Sequence, residues 1–294
     1  MFVQAIEIAA QFTRPIYSIF RNYGSTQVIP GAATLFFVNA EGWALTCGHV
    51  GGNLLAAGEI NSKFQSFKSE VAAQPGIKKH RHILHELEKK YGYTKKVTVE
   101  LKNMFMDCIE GNLNFRIIRS AKYDIALLKF SGFTKLLCDS FPYFPKDTSG
   151  LKQGKFLCRL GFPFPEFANF AYDEASDSIM WTNSGKTTSP RFPIEGMLTR
   201  QLLDKDGQVF GFEMSTPGLR GQSGGPVLDT DGKVWGMQSA TNHLDLDFDV
   251  NQEVIRNGLN KRIQDSAFLH VGHCIHVDTI KSFMREQGVT FQEK

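Results

Sequence analysis

The sequence predicts an all-β architecture of the barrel type, and three observations lead to that prediction. Short apolar runs rich in β-branched and aromatic residues recur along the chain. Turn signals separate these runs, with good hairpin turns at residues 204–207 and 231–232. Helical periodicity is confined to a few segments, so the helices are expected to lie outside the barrels.

The N-terminal half carries the first series of predicted strands. Residues 1–12 are short and mixed, and both a helix and a strand-like extension stay open there. The turn at residues 39–42 joins two apolar runs and predicts an antiparallel hairpin. The predicted strands are residues 15–20, 31–38, 43–46, 96–101, 114–119 and 123–130.

Residues 56–96 differ in character from these strands, and we interpret them as a partly helical insertion. Ile83, Leu87 and Tyr91 recur at helical spacing among charged residues, which predicts a surface helix over residues 78–93. An insertion of this length is compatible with a lid, a partner-docking arm or a family-specific decoration, and the sequence does not choose among them.

A second series of strands begins near residue 136. Asp278 is then predicted to cap a last helix, which carries Ile280, Phe283 and Met284 and ends at Gly288. The predicted strands of this half are residues 155–160, 179–182, 195–203, 209–215, 226–229, 234–239 and 269–277.

Composition excludes several classes of function. A net charge of +3 in 294 residues gives no reason to expect binding to nucleic acid or to an anionic membrane surface. No apolar run approaches the roughly 20 residues of a membrane-spanning helix, and residues 1–14 lack a secretory leader. The cysteine count is odd, and the cysteines are widely spaced, so we expect reduced thiols and a cytoplasmic protein. These cysteines are Cys47, Cys108, Cys138, Cys158 and Cys274.

Residues 221–226 read Gly-Gln-Ser-Gly-Gly-Pro and predict a sharp turn that presents Ser223 in a cleft. The glycines on both sides allow backbone angles that a side chain would forbid. The backbone N–H groups of Gly221 and Ser223 are expected to point at one spot, as a developing oxyanion requires. Since a serine hydroxyl is a poor nucleophile alone, the segment predicts a histidine base and a carboxylate to orient it.

Three motifs together resemble those of the trypsin-like (chymotrypsin-fold) serine peptidases, closest in style to the bacterial Deg/HtrA protease domain. Residues 45–50 (Leu-Thr-Cys-Gly-His-Val) resemble the family's histidine motif, residues 123–128 (Tyr-Asp-Ile-Ala-Leu-Leu) its aspartate motif, and residues 221–226 its serine motif. Residues 161–163 and 271–287 also resemble the family. No PDZ-like domain is expected to follow.

The resemblance implies two antiparallel six-stranded β-barrels with a C-terminal helix. Residues 1–135 would form the barrel that carries His49 and Asp124, and residues 136–294 the barrel that carries Ser223. His49 would act as general base and acid, Asp124 would orient it, and Ser223 would attack the peptide carbonyl. The oxyanion would lie against the N–H groups of Gly221 and Ser223. Neither a metal nor another cofactor is implied, and the substrate would be a protein or peptide.

The sequence departs from the secreted digestive enzymes of this family at Gln222. Those enzymes carry an aspartate there, which pairs with a newly cut N-terminus. Gln222 has no charge, so activation of that kind is not expected.

Specificity is expected to depend on four further residues. Pro217 falls near the floor of the primary pocket, where cleavage after Lys or Arg would require a carboxylate. Ser239 matches the family serine that supports the aspartate, and Ala240 and Thr241 would border the pocket. Since Thr241 would narrow it, we expect cleavage after small or medium uncharged residues.

Two other functions and one metal site are compatible with parts of the sequence. Residues 221–225 also fit the nucleophile elbow of an α/β-hydrolase, for which Asp245 or Asp278 with His270 could complete the triad. A catalytically silent or partner-activated binding protein with a peptidase fold is the main alternative. His270, His273 and His276 could be proposed as metal ligands, but side chains on a strand alternate between its two sides.

Overall fold

Two antiparallel β-structures, one in each half of the chain, make up the fold in the computed structural model, which describes residues 1–74, 81–256 and 258–294. The first is a six-stranded sheet with the strand order β4-β1-β2-β3-β6-β5. Its strands are β1 (Thr13–Asn22), β2 (Ile29–Phe37), β3 (Trp43–Thr46), β4 (Thr98–Phe105), β5 (Ile109–Arg119) and β6 (Ala126–Leu136).

The second structure is a closed six-stranded barrel with the order β11-β12-β15-β14-β13-β8. Together the two structures confirm the predicted fold class, since every strand pair within them is antiparallel. The barrel strands are β8 (Phe156–Gly161), β11 (Phe192–Leu203), β12 (Val209–Met214), β13 (Pro226–Leu228), β14 (Val234–Arg256) and β15 (Leu259–His276).

Two small sheets and four helices complete the described part of the chain. One small sheet pairs β9 (Phe170–Asp173) with β10 (Ser178–Trp181), and the other pairs β7 (Tyr143–Phe144) with β16 (Gln292–Glu293). The helices are α1 (Val3–Phe12), α2 (Gly48–Ala72), α3 (Arg81–Tyr91) and α4 (Val277–Glu286). None of them is both long and apolar enough to cross a membrane.

One hydrophobic core joins the two β-structures. Leu35, Leu127 and Phe130 of the first sheet and Leu160 and Phe212 of the barrel belong to the same buried cluster. Helix α1 covers the barrel, where Ala5 packs beside Cys158. The segment that the sequence left open is therefore a helix, and it buries apolar surface against the second half of the chain.

Helix α2 was not predicted from the sequence, although it is the longest helix described. It begins directly at the histidine motif and buries Leu54, Phe64 and Phe67 on one side. Its glycines lower helix propensity, but the first turns need them. A Cβ on Gly51 would lie 2.9 Å from the Cβ of Ala126. The predicted helix over residues 78–93 corresponds to α3, and residues 78–80 lie outside the described part of the chain.

Strands β14 and β15 are much longer than the predicted strands 234–239 and 269–277. They leave the barrel as a two-stranded ribbon whose last described pair is Arg256 with Leu259. Residues 244–249 alternate apolar and acidic side chains, a strand signal that the prediction did not use. The residues after Asp249 carry no such alternation, because a solvated ribbon has no core face to fill.

The last helix differs from its prediction at one residue. His276, not Asp278, lies at the N-cap, where its side chain accepts a hydrogen bond from the Asp278 amide. The Asp278 carboxylate instead accepts a hydrogen bond from the Thr148 hydroxyl at 2.6 Å. All five cysteines are buried and unpaired.

Candidate active site

His49 and Asp124 meet at the start of helix α2. The imidazole Nδ1 lies 2.9 Å from Asp124 Oδ2, and the backbone N–H of His49 donates to Asp124 Oδ1 at 2.8 Å. Cys47, at the N-cap, makes no side-chain capping bond. The carboxylate therefore also satisfies one of the unpaired amides at the helix N-terminus, where negative charge is favourable.

A third hydrogen bond to the carboxylate comes from the barrel. The Ser239 hydroxyl donates to Asp124 Oδ2 at 2.6 Å. Burial alone would raise the pKa of Asp124, but the hydrogen bonds from His49 and Ser239 outweigh it and lower the pKa to about 2. Asp124 is therefore ionised at neutral pH, and its charge fixes the ring orientation and tautomer of His49.

Ser223 lies on the rim shared by two cavities. One, of about 460 Å³, is also lined by His49 and Gly221 together with the first turns of α2. The other, of about 450 Å³, is lined by the residues assigned to the primary pocket. Within the described residues, the Ser223 hydroxyl donates at 3.2 Å to the carbonyl oxygen of Ser239, and no hydrogen bond joins it to His49.

The turn before Ser223 has the glycine geometry that the sequence predicted. Gly221 has φ +95°, and a Cβ there would overlap the Phe162 carbonyl oxygen and lie 2.8 Å from Pro163 Cα. In the described part of the chain, the amides of Gly221 and Ser223 take part in no hydrogen bond. Both are therefore available as donors to an oxyanion.

Gln222 lies within this turn, and its side chain is fully buried. Its Oε1 accepts a hydrogen bond from the Leu219 amide at 3.0 Å, and its Nε2 donates to the Phe192 carbonyl at 3.0 Å. Sequence reasoning addressed only the charge that this residue lacks. One of its hydrogen bonds ties the turn to strand β11, and the other ties it to the preceding segment at Leu219, without any ion pair.

Thr34 is a site residue that sequence reasoning missed. Its amide donates to the Ser223 carbonyl at 3.0 Å, and its hydroxyl donates to the Gly221 carbonyl at 2.7 Å. Thr34 lies in β2, so these bonds fix the serine turn of the barrel against the first sheet. A single sequence does not indicate that one threonine in an apolar strand will contact a distant turn.

The four residues assigned to substrate binding converge on the second cavity. Pro217, Ser239, Ala240 and Thr241 all line it. The Thr241 hydroxyl donates to the carbonyl of Gly218 at 2.6 Å and so bridges two walls of the cavity.

Arg159 lies buried behind this cavity, with no exposed surface. Its guanidinium donates to Gln238 Oε1 at 2.8 Å and to the carbonyls of Thr216 and Pro217 at 3.0 Å. Burial lowers the pKa of Arg159, and no carboxylate among the described residues forms an ion pair with it. The space behind the cavity is therefore filled by polar side chains with a net positive charge.

The three C-terminal histidines lie in three different environments. His270 Nδ1 lies 2.6 Å from His243 Nδ1, His276 caps α4, and burial lowers the pKa of His273. Within the described residues, the group whose ligand atoms could hold a metal is Cys47, His49 and Asp124. The Cys47 thiol instead donates to the Gln238 carbonyl, and burial raises its pKa far above the usual range.

The α/β-hydrolase alternative is wrong. That fold requires parallel strands alternating with helices before the nucleophile, whereas Ser223 follows antiparallel strands. His270 is paired with His243 on the ribbon and not with Asp278.

Comparison with known proteins agrees with this geometry. A family model described as a trypsin-like peptidase domain matches residues 33–237, which include both halves of the site. No curated protein matches the chain in a sequence comparison. The narrower likeness to Deg/HtrA domains stays a prediction. Since the family model covers more than half of the chain, the protein belongs to the trypsin-like peptidase domain family.

Proposed function

We propose that the protein is a serine endopeptidase that hydrolyses peptide bonds through His49, Asp124 and Ser223. The observation that carries the proposal is the ionised Asp124 carboxylate, which holds His49 Nδ1 at 2.9 Å in a cavity whose rim includes Ser223. With Nδ1 held as the donor, Nε2 is the ring nitrogen left to take the hydroxyl proton.

Substrate binding would release the Ser223 hydroxyl from its present hydrogen bond, so that it can act as the nucleophile. The Ser223 hydroxyl donates to the Ser239 carbonyl, which lies on the strand expected to pair with an extended substrate. A substrate N–H that donates to that carbonyl would take the acceptor now used by the hydroxyl. The hydroxyl would then turn towards His49, which removes its proton during attack and returns it to the leaving amine. The amides of Gly221 and Ser223 would stabilise the oxyanion.

The primary pocket would accept small or medium uncharged side chains. Thr241 bridges to Gly218 across the cavity, and the Gln238 amide fills the space behind Gly218. A Lys or Arg side chain would also approach the buried Arg159 guanidinium, which no carboxylate of the described residues neutralises. Size and charge thus both disfavour cleavage of the trypsin type.

Labelling by a fluorophosphonate probe and hydrolysis of a peptide library test the activity. The wild type is expected to react and to cleave, whereas Ser223→Ala should lose labelling and His49→Ala should lose at least about 10⁴-fold in kcat. Ser184→Ala, which removes an exposed hydroxyl that lies outside the three motifs, is the matched control. An unlabelled, inactive wild type would favour the silent or partner-activated alternative.

A series of peptides that differ only at P1 tests the specificity. We expect Ala or Val to exceed Phe, Lys and Arg by about 10-fold or more in kcat/KM. Thr241→Gly, which removes the bridging hydroxyl, should raise the rate for Leu and Phe. Preferred cleavage after Arg, Lys or Glu would contradict the proposed pocket.

A further inference from the structure

Strand β14 continues from the candidate active site into the ribbon, and one of its edges pairs with no strand in the described part of the chain. Up to Met237 the strand pairs with β13 on one side and β15 on the other. From Ala240 to Asp245 its described pairing is with β15 alone. An unpaired strand edge is a template for addition of another extended chain.

The edge is regular over the residues that follow the site. Thr241, His243 and Asp245 pair with Gly272, His270 and Phe268 of β15 without a shift of register. Backbone groups alternate between the two edges of a strand, so every second residue directs its N–H and C=O away from β15. The register shifts once at Ser239, so the alternation is counted from Thr241 onward. Gly272, the partner of Thr241, donates its amide to the Thr216 carbonyl at 2.8 Å and not to β14, so residues 241, 243 and 245 direct their backbone groups to the outer edge.

The regular edge ends at a bulge. The register shifts between Asp245 and Asp249, and Asp247 has φ +56°. No described backbone hydrogen bond outside the ladder with β15 uses an amide or carbonyl of residues 241–245. The available edge therefore spans the residues between the primary pocket and the bulge.

We propose that this edge binds the substrate residues P4 to P7 as an added antiparallel strand. The inference rests on the proposed function, in which a substrate N–H donates to the Ser239 carbonyl. With that N–H assigned to P1, the antiparallel register places P3 at Thr241. Continuing that register, P5 pairs with His243 and P7 with Asp245, and the bulge ends the pairing. The preferred substrate is thus an extended polypeptide with at least seven residues before the scissile bond, recognised in P4 to P7 through its backbone.

Binding to the Ser223→Ala variant tests the edge independently of catalysis. The probes are labelled peptides with the same residues from P3 to P3′, with Ala at P1 and with N-termini at P3, P5 or P7. Extension to P7 is expected to lower Kd about tenfold, because each added backbone hydrogen bond contributes modestly after the cost of ordering the peptide.

N-methylation of single peptide amides tests the proposed register of the added strand. A methyl group on the P5 amide removes a donor aimed at His243 and should abolish the gain from extension. The same change at P4, whose amide points to solvent, is the matched control and should leave the gain intact. A Kd that does not depend on length, equal losses at P4 and P5, or no measurable binding would overturn the proposal.

A different measurement tests the proposed function. Hydrolysis of the shortest peptide by the wild type reports the activity, and the length series on Ser223→Ala reports the edge. Cleavage without a length effect would leave the peptidase proposal standing and refute the added strand.

Discussion

On the first-sheet side of the cleft, the Asp124 carboxylate accepts three hydrogen bonds, two of them from His49 and one from Ser239. On the barrel side, Ser223 and its neighbours are positioned by the backbone of a glycine turn, which Thr34 and Gln222 hold in place. The proposed acid–base pair is thus fixed by charge-assisted hydrogen bonds to the Asp124 carboxylate, and the proposed nucleophile and oxyanion donors are fixed by chain conformation.

The two sides of the cleft should respond differently to substitution. A side-chain contact can be weakened one hydrogen bond at a time, and the pair keeps its place through the others. A turn that depends on a positive φ and close packing fails when a single methyl group is added. Substitutions on the two sides should therefore differ in the size of their effect and in the quantity that they change.

Among substitutions that leave His49, Asp124 and Ser223 in place, Gly221→Ala should produce the largest effect. The new Cβ would overlap the Phe162 carbonyl, so the turn must move and withdraw the Gly221 amide from the oxyanion. We expect kcat to fall about 10²–10³-fold with a small change in KM, measured on the peptide with Ala at P1.

Gly207→Ala is the matched control for that prediction. Gly207 also has a positive φ, +76°, but no atom lies within 4 Å of the added Cβ position. It should cost stability and leave kcat unchanged. If Gly221→Ala kept the wild-type kcat, the Gly221 amide would have no part in stabilising the oxyanion.

Gln222→Ala should have an intermediate effect. Loss of the hydrogen bonds to Leu219 and Phe192 loosens the turn without adding a clash, so we expect kcat to fall about tenfold. Affinity for a peptide aldehyde, whose adduct places an oxyanion in the site, should fall in parallel. Peptide binding measured in a Ser223→Ala background should stay unchanged.

A glutamine of similar chemistry provides the comparison. Gln201 lies on strand β11 outside the turn, and its side-chain amide donates to the Leu151 carbonyl at 2.9 Å. Gln201→Ala should leave the affinity for the aldehyde unaltered. An equal loss in both variants would mean that Gln222 supports the fold only and does not position the oxyanion donors.

The candidate site could be predicted from sequence where one short motif contains both the reactive side chain and the residues that shape its backbone. The turn at Gly221 and the strand Trp43–Thr46 before His49 were both predicted from local residue patterns. The contacts of Thr34 and the amide role of Gln222 could not be predicted, because they depend on which distant backbone groups the fold brings within reach.

The fold was predicted in class but not in its two longest elements. In α2, tertiary packing overrides the low helix propensity of its glycines, since Gly48 and Gly51 allow the helix to approach Asp124 and Ala126. In the ribbon, residues 244–249 alternate apolar and acidic side chains, which was a usable strand signal. Beyond the bulge the solvated strands carry no such pattern.

The smallest effect is on the free energy of unfolding at acid pH, to which the Asp124 hydrogen bonds contribute. The pKa of Asp124 falls from 3.8 to about 2 on folding. A depressed carboxyl pKa stabilises the folded state above the unfolded pKa, and the contribution is lost as the pH falls from about 4 to about 2. Over that interval the free energy of unfolding of the wild type should drop by about 2 kcal/mol more than that of Asp124→Asn. Urea titrations at a series of pH values measure the difference, and parallel curves for the two proteins would show that the three hydrogen bonds do not favour the ionised carboxylate.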